Sequence, residues 1–332
     1  MTTFILRRLL NLIPTFIGAT LLAFVIVQAA PGDFTTRFLL DPSLDKNYVA
    51  ELQRQFGLDQ PVTTQYLKWL TGVMTGYLGL SLNYQTDVWN VIGPRIANSM
   101  VLVIGGVIFL WAVAIPVGVF TAVRQRTTGD YVVSFLSFVG LAVPSFFLAL
   151  LALFFIVWFN DAVGARILPL TGMRSQTIAG IPFAEAPLYR QWLDILWHAL
   201  PLIIVSSVDG IAGLGRVMRG QVLDQLNSDY IRTARAKGLA GRVVLYKHAL
   251  RNAIVPFIAG IGGLLPALVS GAGFVEVVMG WPGLTPLALE ALAAQDIYVL
   301  MGLTTLTTLL LILGNLLSDL LLAAVDPRIR YS

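Results

Sequence analysis

The basic side chains that could bind a charged partner are concentrated in one segment of this sequence. Residues 224–251, DQLNSDYIRTARAKGLAGRVVLYKHALR, separate two long apolar runs. The basic residues of this segment are Arg232, Arg235, Lys237, Arg242, Lys247 and Arg251. Such cations can pair with carboxylates at the edge of a soluble protein, or they can be drawn to anionic lipid headgroups. The pattern of the segment taken alone favours both uses equally.

Asp209 is the one carboxylate inside the long apolar runs of the chain. A charged group at that depth is costly to desolvate, which makes it a functional candidate. Hydrogen bonds from Ser206, Ser207 or a neighbouring helix would satisfy the carboxylate, and contact with a substrate is the alternative. Pairing is favoured, because charges inside membranes usually pair with neighbouring groups.

The composition indicates a membrane protein. Of the 332 residues, 57% are hydrophobic and 12% are charged, whereas about 25% of the residues in a soluble domain are charged. The mean hydropathy is +0.78. The net charge is +4, but basic residues in a membrane chain usually report topology, so we expect no nucleic-acid partner. The absence of cysteine excludes disulfides, thiolate metal sites and a cysteine nucleophile.

Six apolar runs are long enough to cross a hydrocarbon core of about 30 Å, which takes about 20 helical residues. They cover residues 9–30, 99–123, 131–159, 195–215, 253–275 and 297–317. The first run is too long for a secretory signal, so we expect it to remain as a helix. The third run exceeds one straight span, so we expect it to tilt, to project from the membrane or to kink at Pro144.

The distribution of Lys and Arg favours six spans with both termini in the cytosol, because the basic residues of the short connections then lie mainly on the inner side. The predicted parts are residues 1–30 with the first span, an outer insertion at 31–98, a core at 99–325 with five spans and a cytosolic segment at 216–252, and a tail at 326–332.

The outer insertion is too long to be structureless in a compact protein. Two groups of apolar residues each share a helical face: Tyr48, Val49, Leu52 and Phe56 before Gly57, and Tyr66, Leu67, Leu70 and Met74 after it. These two amphipathic helices would either cap the outer mouth of a pore or lie on the lipid surface.

Residues 229–238 are predicted to form a short helix. Asn227, Ser228 or Asp229 can cap its start, and Gly238 permits the turn that follows it. We expect an apolar stripe to bury in a partner and a cationic rim to pair with acidic groups around it. The stripe consists of Tyr230, Ile231 and Ala234, and the rim consists of Arg232, Arg235 and Lys237.

The sequence offers no site of its own for ATP hydrolysis, because it lacks a G-x-x-x-x-G-K-[ST] phosphate loop. It also lacks the H-E-x-x-H zinc pair and the G-x-S-x-G elbow, which disfavours an intramembrane hydrolase. A secondary transporter working alone is a further alternative, although the sequence has no clear repeat and no cluster of charges at mid-membrane.

Five ordered segments carry a family resemblance: FILRRLLNLIPTFIGATLLAFVIVQAAPGD, FGLDQPVTTQYLKWL, DYIRTARAKGL with HALRNA, GWPGL and DPRIRY. Over nearly its whole length the chain resembles the B-type permease subunit of the bacterial dipeptide, oligopeptide and nickel ABC importer family. The resemblance implies an all-α integral membrane protein of the type I ABC importer permease fold. It also implies six transmembrane helices, with a small helical periplasmic insertion between helices 1 and 2.

In this family the EAA element is a coupling helix that inserts into a groove of the cytosolic ATPase. The resemblance assigns ATPase coupling to Asp229, Tyr230, Ile231, Arg232, Thr233, Ala234, Arg235, Ala236, Lys237 and Gly238. The wider consensus has Glu-Ala-Ala where this chain has Arg232, Thr233 and Ala234, and it has Leu-Pro where this chain has Leu250 and Arg251. The peptide subgroup commonly differs in this way.

The resemblance also implies partners and a mechanism. The expected partners are a related C-type permease subunit, two cytosolic ATP-binding subunits, an extracytoplasmic solute-binding protein and the lipid bilayer of the bacterial inner membrane. No cofactor is expected in this chain, since ATP and Mg would act in the ATPases and drive alternating access. Peptide is the expected cargo, and nickel, glutathione or oligosaccharide are the alternatives.

A possible gate or path is the least constrained part of the resemblance. The candidate residues are Asp209, Glu276, Trp281, Pro282 and Gly283. Glu276 and the GWPGL motif at 280–284 resemble the family's outer loop near the substrate entrance. The glycines and prolines of the run at 253–275 permit close helix packing or local unwinding.

Overall fold

The computed structural model describes residues 2–29, 35, 51, 53–54, 57–255, 257 and 272–325, with side chains placed for those from residue 13 to residue 316. This part of the chain is mainly helical. In chain order the helices are α1 Thr2–Gln28, α2 Val62–Met74, α3 Val88–Val123, α4 Thr128–Ala142, α5 Ser145–Val163, α6 Leu188–Leu226, α7 Asp229–Ala236, α8 Gly241–Val243, a π-helical turn Val244–Ala249, α9 Leu250–Ala253, α10 Phe274–Val278, α11 Leu284–Ala293 and α12 Ile297–Val325. A short antiparallel hairpin pairs β1 Thr177–Ile178 with β2 Ile181–Pro182, and a 3-10 turn, Phe183–Glu185, follows it.

Four of the described helices are long and apolar enough to cross a membrane: Val88–Val123, Ser145–Val163, Leu188–Leu226 and Ile297–Leu316. Shorter apolar helices are Ile13–Gln28, Thr128–Ala142 and Leu284–Ala293. The all-α membrane architecture predicted from the sequence is therefore confirmed. Most of the fifth apolar run, residues 253–275, lies outside the described residues, and the count of six spans stays a prediction.

The third apolar run forms two helices instead of one. Helix α4 ends at Ala142 and α5 begins at Ser145, with Val143 (φ −93°, ψ 121°) and Pro144 (φ −60°, ψ 140°) in extended backbone between them. Proline has no backbone N–H and disfavours helical backbone in the residue before it. The kink expected at Pro144 is thus a complete break.

Several helices extend beyond the apolar runs that predicted them. Helix α3 begins at Val88, where the sequence predicted a span from residue 99. Helix α6 has 39 residues and continues to Leu226, although its apolar run ends at residue 215. The apolar run marks the part of a helix that can lie in lipid, and polar residues such as Asn90 and Arg219 extend the helix outside it. Much of the expected cytosolic connection is therefore helical.

The first of two compact units contains α1, α2, the start of α3, α11 and α12 as far as Leu316. One core cluster of this unit joins α3, α11 and α12: Val88, Ile92, Leu284, Leu287, Ala291, Val299 and Leu303. A second cluster joins α1, α2 and α12: Phe24, Tyr66, Trp69, Ile297 and Met301. Gly302 lets α12 approach α3, because a Cβ at this position would lie 2.6 Å from Val88 Cγ1.

Helix α2 confirms the second of the two amphipathic helices expected in the outer insertion. Its buried residues are Tyr66 and Trp69, whereas Leu67 and Met74 are 59% and 82% exposed. The face that packs within this chain is therefore centred on Tyr66 and Trp69, and Leu67 and Met74 lie outside it. The first expected helix, with Tyr48, Val49, Leu52 and Phe56, lies outside the described residues.

The second unit contains the remainder of α3, helices α4 to α10 and the β-hairpin. Its largest core cluster includes Leu102, Ala149, Ile156, Ala199, Leu202, Ile203, Val275, Met279 and Trp281. Helices α3 and α6 come close at Gly118, where a Cβ would lie 2.5 Å from Met218 Cβ and 2.6 Å from the Gly215 carbonyl oxygen. Small residues at such positions allow helix backbones to approach in a membrane.

Candidate coupling and path sites

Helix α7 forms most of the segment that the sequence predicted as a short helix. It follows Ser228, whose backbone is extended (φ −74°, ψ 153°), and it ends at Ala236. The Ser228 hydroxyl does not cap α7, because its Oγ donates to the Gln225 carbonyl oxygen at 2.6 Å. Gly238 has φ +74°, so the left-handed turn expected at this glycine is present.

The apolar side of α7 is buried within this chain. Ile231 and Ala234 are 0% and 7% exposed, and they cluster with Val244, Ala249 and Leu226. The expectation that these two residues bury in a partner was therefore wrong. An amphipathic pattern shows that one helix face is covered but does not say by which chain.

The covering surface is the π-helical turn Val244–Ala249. Its hydrogen bonds join residues five apart instead of four, so Val244 and Ala249, the first and last residues of the turn, come to lie on one side. Both are buried in the cluster with Ile231 and Ala234. The π turn thus provides the surface on which α7 rests.

Tyr230 links α7 to the helices on either side of it. Its hydroxyl donates to Gln225 Oε1 at 2.6 Å and accepts from Asn252 Nδ2 at 3.0 Å. Gln225 belongs to α6 and Asn252 to α9. Sequence reasoning placed Tyr230 in the apolar stripe and missed both partners, because neither lies within one helical turn of it.

The outer side of α7 is polar and cationic. Residues Asp229, Tyr230, Arg232, Thr233, Arg235, Ala236, Lys237 and Gly238 are exposed. Arg232 pairs with Asp229 at 3.3 Å, but both side chains are well exposed, at 73% and 95%, so this pair adds little stability. The described part of the chain gives Arg235 and Lys237 no ion pair. These cations are available to a carboxylate-bearing partner.

Asp209 lies exposed on α6. Its Oδ1 accepts from the Gly210 backbone N–H at 2.7 Å. The two hydroxyls proposed as its partners are used elsewhere, since Ser206 Oγ and Ser207 Oγ both donate to the Ile203 carbonyl oxygen. The favoured pairing of Asp209 within this chain is therefore absent from the described residues.

Glu276 and Trp281 are core residues. Both are 0% exposed. A Glu276 carboxylate oxygen, Oε1, accepts from the Ala272 backbone N–H at 3.4 Å, and the Glu276 carbonyl accepts from the Trp281 N–H at 2.8 Å. They are part of the packed interior of the second unit and do not line an open path in the described structure.

Pro282 and Gly283 begin the connection into α11. The Pro282 carbonyl oxygen accepts from Asn98 Nδ2 at 2.8 Å, and Gly283 immediately precedes α11. The Leu284 N–H donates to Ser99 Oγ at 2.9 Å. Side chains of α3 therefore fix the start of α11, and sequence reasoning missed both of them.

An ion pair between a buried carboxylate and a partly exposed guanidinium joins α4 to α6. Asp130 is 3% exposed, and its Oδ2 accepts from Arg219 Nη2 at 2.9 Å and from the Arg126 backbone N–H at 2.9 Å. Sequence reasoning did not single out Asp130. The available signal was its position three residues after Thr127, whose hydroxyl accepts from the Asp130 N–H at the start of α4, in the manner of a capping box.

A second buried carboxylate fixes the start of α12. Asp296 is 0% exposed, and its Oδ2 accepts from Ser81 Oγ at 2.6 Å and from the Asn83 N–H at 2.9 Å. Its Oδ1 accepts from the Val299 N–H at 3.2 Å. This carboxylate therefore holds the loop before α3 against the start of α12.

Beside this loop, the Tyr84 hydroxyl donates to Glu290 Oε2 at 2.6 Å. This hydrogen bond, followed by burial, raises the pKa of Tyr84 above its ordinary value.

Comparisons with known proteins match both parts of the sequence. Residues 114–331 match the family described as "Binding-protein-dependent transport system inner membrane component", and residues 1–103 match the family described as "Binding-prot-dependent transport system membrane comp, N-term". The chain is 37% identical to the oligopeptide transport system permease protein AppB of Bacillus subtilis (strain 168), over 100% of both chains.

Two further relatives also align with this chain along almost their whole length. The chain is 36% identical to the dipeptide transport system permease protein DppB of Escherichia coli (strain K12), over 100% of this chain and 99% of the relative. It is 31% identical to the oligopeptide transport system permease protein OppB of Mycobacterium bovis, over 100% of both chains. The chain therefore belongs to the family of binding-protein-dependent transport system inner membrane components, and within it to the dipeptide and oligopeptide ABC permeases.

Proposed function

We propose that this multi-pass inner-membrane protein is the B-type permease subunit of an ATP-driven importer of dipeptides and oligopeptides. The observation that carries the proposal is the identity of 31–37% to peptide permeases along the whole chain. In the proposed complex the chain forms half of the translocation path, and both of its termini lie in the cytosol. A related C-type permease forms the other half, and an extracytoplasmic solute-binding protein delivers the peptide.

Two cytosolic subunits hydrolyse ATP with Mg, and α7 receives their motion. The exposed cations Arg232, Arg235 and Lys237 pair with acidic residues of an ATPase. The linkage through Tyr230 and the buried contact of Ile231 with the π turn support this role. Because α7 is bonded to α6 on one side and to α9 on the other, a displacement of α7 moves both helices.

Helix α6 carries this motion across the membrane. Its 39 residues span about 58 Å at 1.5 Å per residue, which exceeds the thickness of the hydrocarbon core. ATP-driven closure of the ATPases tilts α6 and exposes the path to the outer side, and the reset exposes it to the cytosol. Four residues keep their positions while the gate opens and closes, in keeping with the burial of Glu276 and Trp281. They are Glu276, Trp281, Pro282 and Gly283.

Reconstitution tests this function directly. The chain is co-expressed with the C-type permease, the ATPases and the binding protein of its proposed complex, and the complex is placed in lipid vesicles. We expect uptake of a labelled tripeptide that requires ATP and the binding protein. Nickel, glutathione and an oligosaccharide compete weakly or not at all. Uphill uptake by the purified chain alone would contradict the proposal and favour a secondary transporter.

A further inference from the structure

Helix α6 exposes opposite sides in its two halves. In the first half the exposed residues are apolar and include Leu193, Leu196 and Leu200. In the second half they include Asp209 and Arg216. At 3.6 residues per turn, Leu200 and Asp209 lie about 180° apart around the helix, whereas Asp209 and Arg216 lie within about 20°. The helix therefore crosses the second unit from an apolar surface to a polar one.

The polar side of the second half carries charged and small residues, and Val217, which is 47% exposed, follows Arg216 in the sequence. Gly213 and Gly220 follow Asp209 along it, and a Cβ added to either glycine meets nothing within 4 Å. A carboxylate inside an apolar span faces a water-filled cavity or another polar group, because exposure to lipid is too costly. This surface of α6 is therefore suited to a polar occupant that approaches the helix backbone closely.

Neither of the two charges on this surface forms an ion pair within the described part of the chain. Among the described residues, the adjacent Gly210 N–H alone donates to Asp209. The Arg216 guanidinium lies 4.6 Å from the centroid of the Phe138 ring. The neighbouring arginine, Arg219, pairs with Asp130. Asp209 and Arg216 are thus an anion and a cation on one open surface, both with capacity for a charged ligand.

We propose that Asp209 and Arg216 bind the two charged termini of a short peptide during its passage. Asp209 takes the ammonium group, and Arg216 takes the carboxylate. Seven residues of helix separate the two positions by about 10.5 Å, and an extended chain of three residues spans about 10 Å. The open glycine surface between them accommodates the peptide backbone. This assignment rests on the proposed function of peptide import.

The competing occupant is a cation of the second permease subunit, and accessibility to a thiol reagent separates the two. The chain contains no cysteine, so a single introduced thiol reports on one position. In the reconstituted complex we compare Asp209→Cys with Leu200→Cys, which lies on the opposite, apolar side of the same helix. The probe is a charged, membrane-impermeant maleimide, applied to both faces of the membrane with and without ATP.

We expect Asp209→Cys to be labelled in at least one nucleotide state and Leu200→Cys to be labelled far more slowly. Equal labelling of the two thiols, or no labelling of Asp209→Cys in any state, would overturn the assignment. This readout is independent of transport. If the wild-type complex imports no peptide while the labelling pattern holds, the proposed function fails but the polar surface of α6 remains.

Uptake measurements test the charges themselves. We expect Asp209→Asn to lower tripeptide uptake by at least about tenfold, because it removes a charge-assisted hydrogen bond, and Asp209→Glu to retain most of it. Asp224→Asn, an exposed carboxylate near the end of the same helix, is the matched control and should transport normally. Unchanged uptake in Asp209→Asn, an equal loss in the control, or loss of the second permease on purification would each overturn the proposal.

Discussion

Gly238 shows how a single residue sets the geometry of the turn after α7. Its φ of +74° is in the left-handed region, and no atom lies within 4 Å of an added Cβ. Glycine is therefore required at this position by the backbone conformation and not by a lack of space for a side chain.

We expect Gly238→Val to insert normally but to lower ATP-dependent peptide uptake. A β-branched residue in left-handed backbone costs about 1–2 kcal/mol, and the turn after α7 relieves this strain by changing its geometry. Uptake and ATPase co-purification are measured together. Gly238→Asn is the control, because asparagine tolerates left-handed backbone better than valine does. Equal uptake in both variants would show that this turn plays no part in coupling.

The contribution of Tyr84 to the stability of the folded protein depends on pH. Its hydrogen bond to Glu290 raises its pKa above the ordinary value of 10.0. Because the neutral phenol is favoured in the folded state, the interaction stabilises the protein fully below about pH 10. The stabilisation is lost as the pH rises through the raised pKa of the folded state.

We expect Tyr84→Phe to be less stable than the wild type at pH 8 and to show a smaller further loss between pH 10 and pH 12, about the ordinary range of tyrosine ionisation. The measurement is thermal unfolding in detergent across this range. Tyr189→Phe serves as a control, since Tyr189 is exposed and its hydroxyl accepts a hydrogen bond from the neighbouring Arg190 Nε. Parallel pH profiles for the wild type and Tyr84→Phe would contradict the assigned role of the hydrogen bond.

At the scale of elements, the contact between α3 and α6 depends on the absence of a side chain. A Cβ at Gly118 would lie 2.5 Å from Met218 Cβ, so the helices must separate if any other residue is present. We expect Gly118→Ala to destabilise the protein by about 1–3 kcal/mol, the range typical of an overpacked core.

Thermal aggregation in detergent measures this effect. Gly93→Ala is the matched control, because Gly93 also lies in α3 and an added Cβ there meets nothing within 4 Å. If both alanine variants aggregate at a similar midpoint temperature, α3 and α6 accommodate the added methyl group at Gly118 without a loss of stability.

The hydrogen bonds that link α7 to α6 and α9 share one hydroxyl, that of Tyr230. We expect Tyr230→Phe to assemble with the ATPases but to transport several-fold less, because each lost hydrogen bond contributes about 1 kcal/mol to the linkage. Uptake per hydrolysed ATP is the measurement. Tyr246→Phe is the control, since Tyr246 is 60% exposed and lies in the neighbouring π turn. If Tyr230→Phe transports as much peptide per hydrolysed ATP as the wild type, the apolar contact of α7 with the π turn alone links α7 to its neighbours.

For the molecule as a whole, the sequence predicted the apolar helices, the interruption at Pro144 and the turn at Gly238. Each of these is encoded locally, in hydropathy or in the backbone preference of one residue. The start of α3 at Val88 was missed because hydropathy reports only the lipid-embedded part of a helix. The pairing of Asp130 with Arg219 was missed because their separation in sequence carries no signal of contact.

The residues that cover a buried helix face could also not be predicted from the sequence. The stripe of Ile231 and Ala234 was identified correctly as apolar, but its covering surface is the π turn of the same chain. A π turn in residues 244–249 has no marker in the local sequence. The cations Arg232, Arg235 and Lys237 consequently lie on the outer face of α7, and the proposed attachment of ATPases to this face is mainly electrostatic.

We expect the double substitution Arg232→Glu and Arg235→Glu to weaken the association of the complex with its ATPases. Two favourable contacts become repulsive, and the loss is greater at low salt than at high salt, because exposed charges are screened. Co-purification at two ionic strengths measures it. Arg242→Glu, at an exposed position outside α7, is the control. Association that is unchanged at both ionic strengths would assign these cations to the lipid surface.

The inward packing of Ile231 and Ala234 also bears on biogenesis. In the proposed complex, a newly translated subunit therefore presents charged and not apolar side chains on α7 before the ATPases bind. Exposed apolar patches promote aggregation, and this one is already covered before any neighbour arrives. Synthesis and membrane insertion of the subunit can therefore precede the proposed recruitment of ATPases.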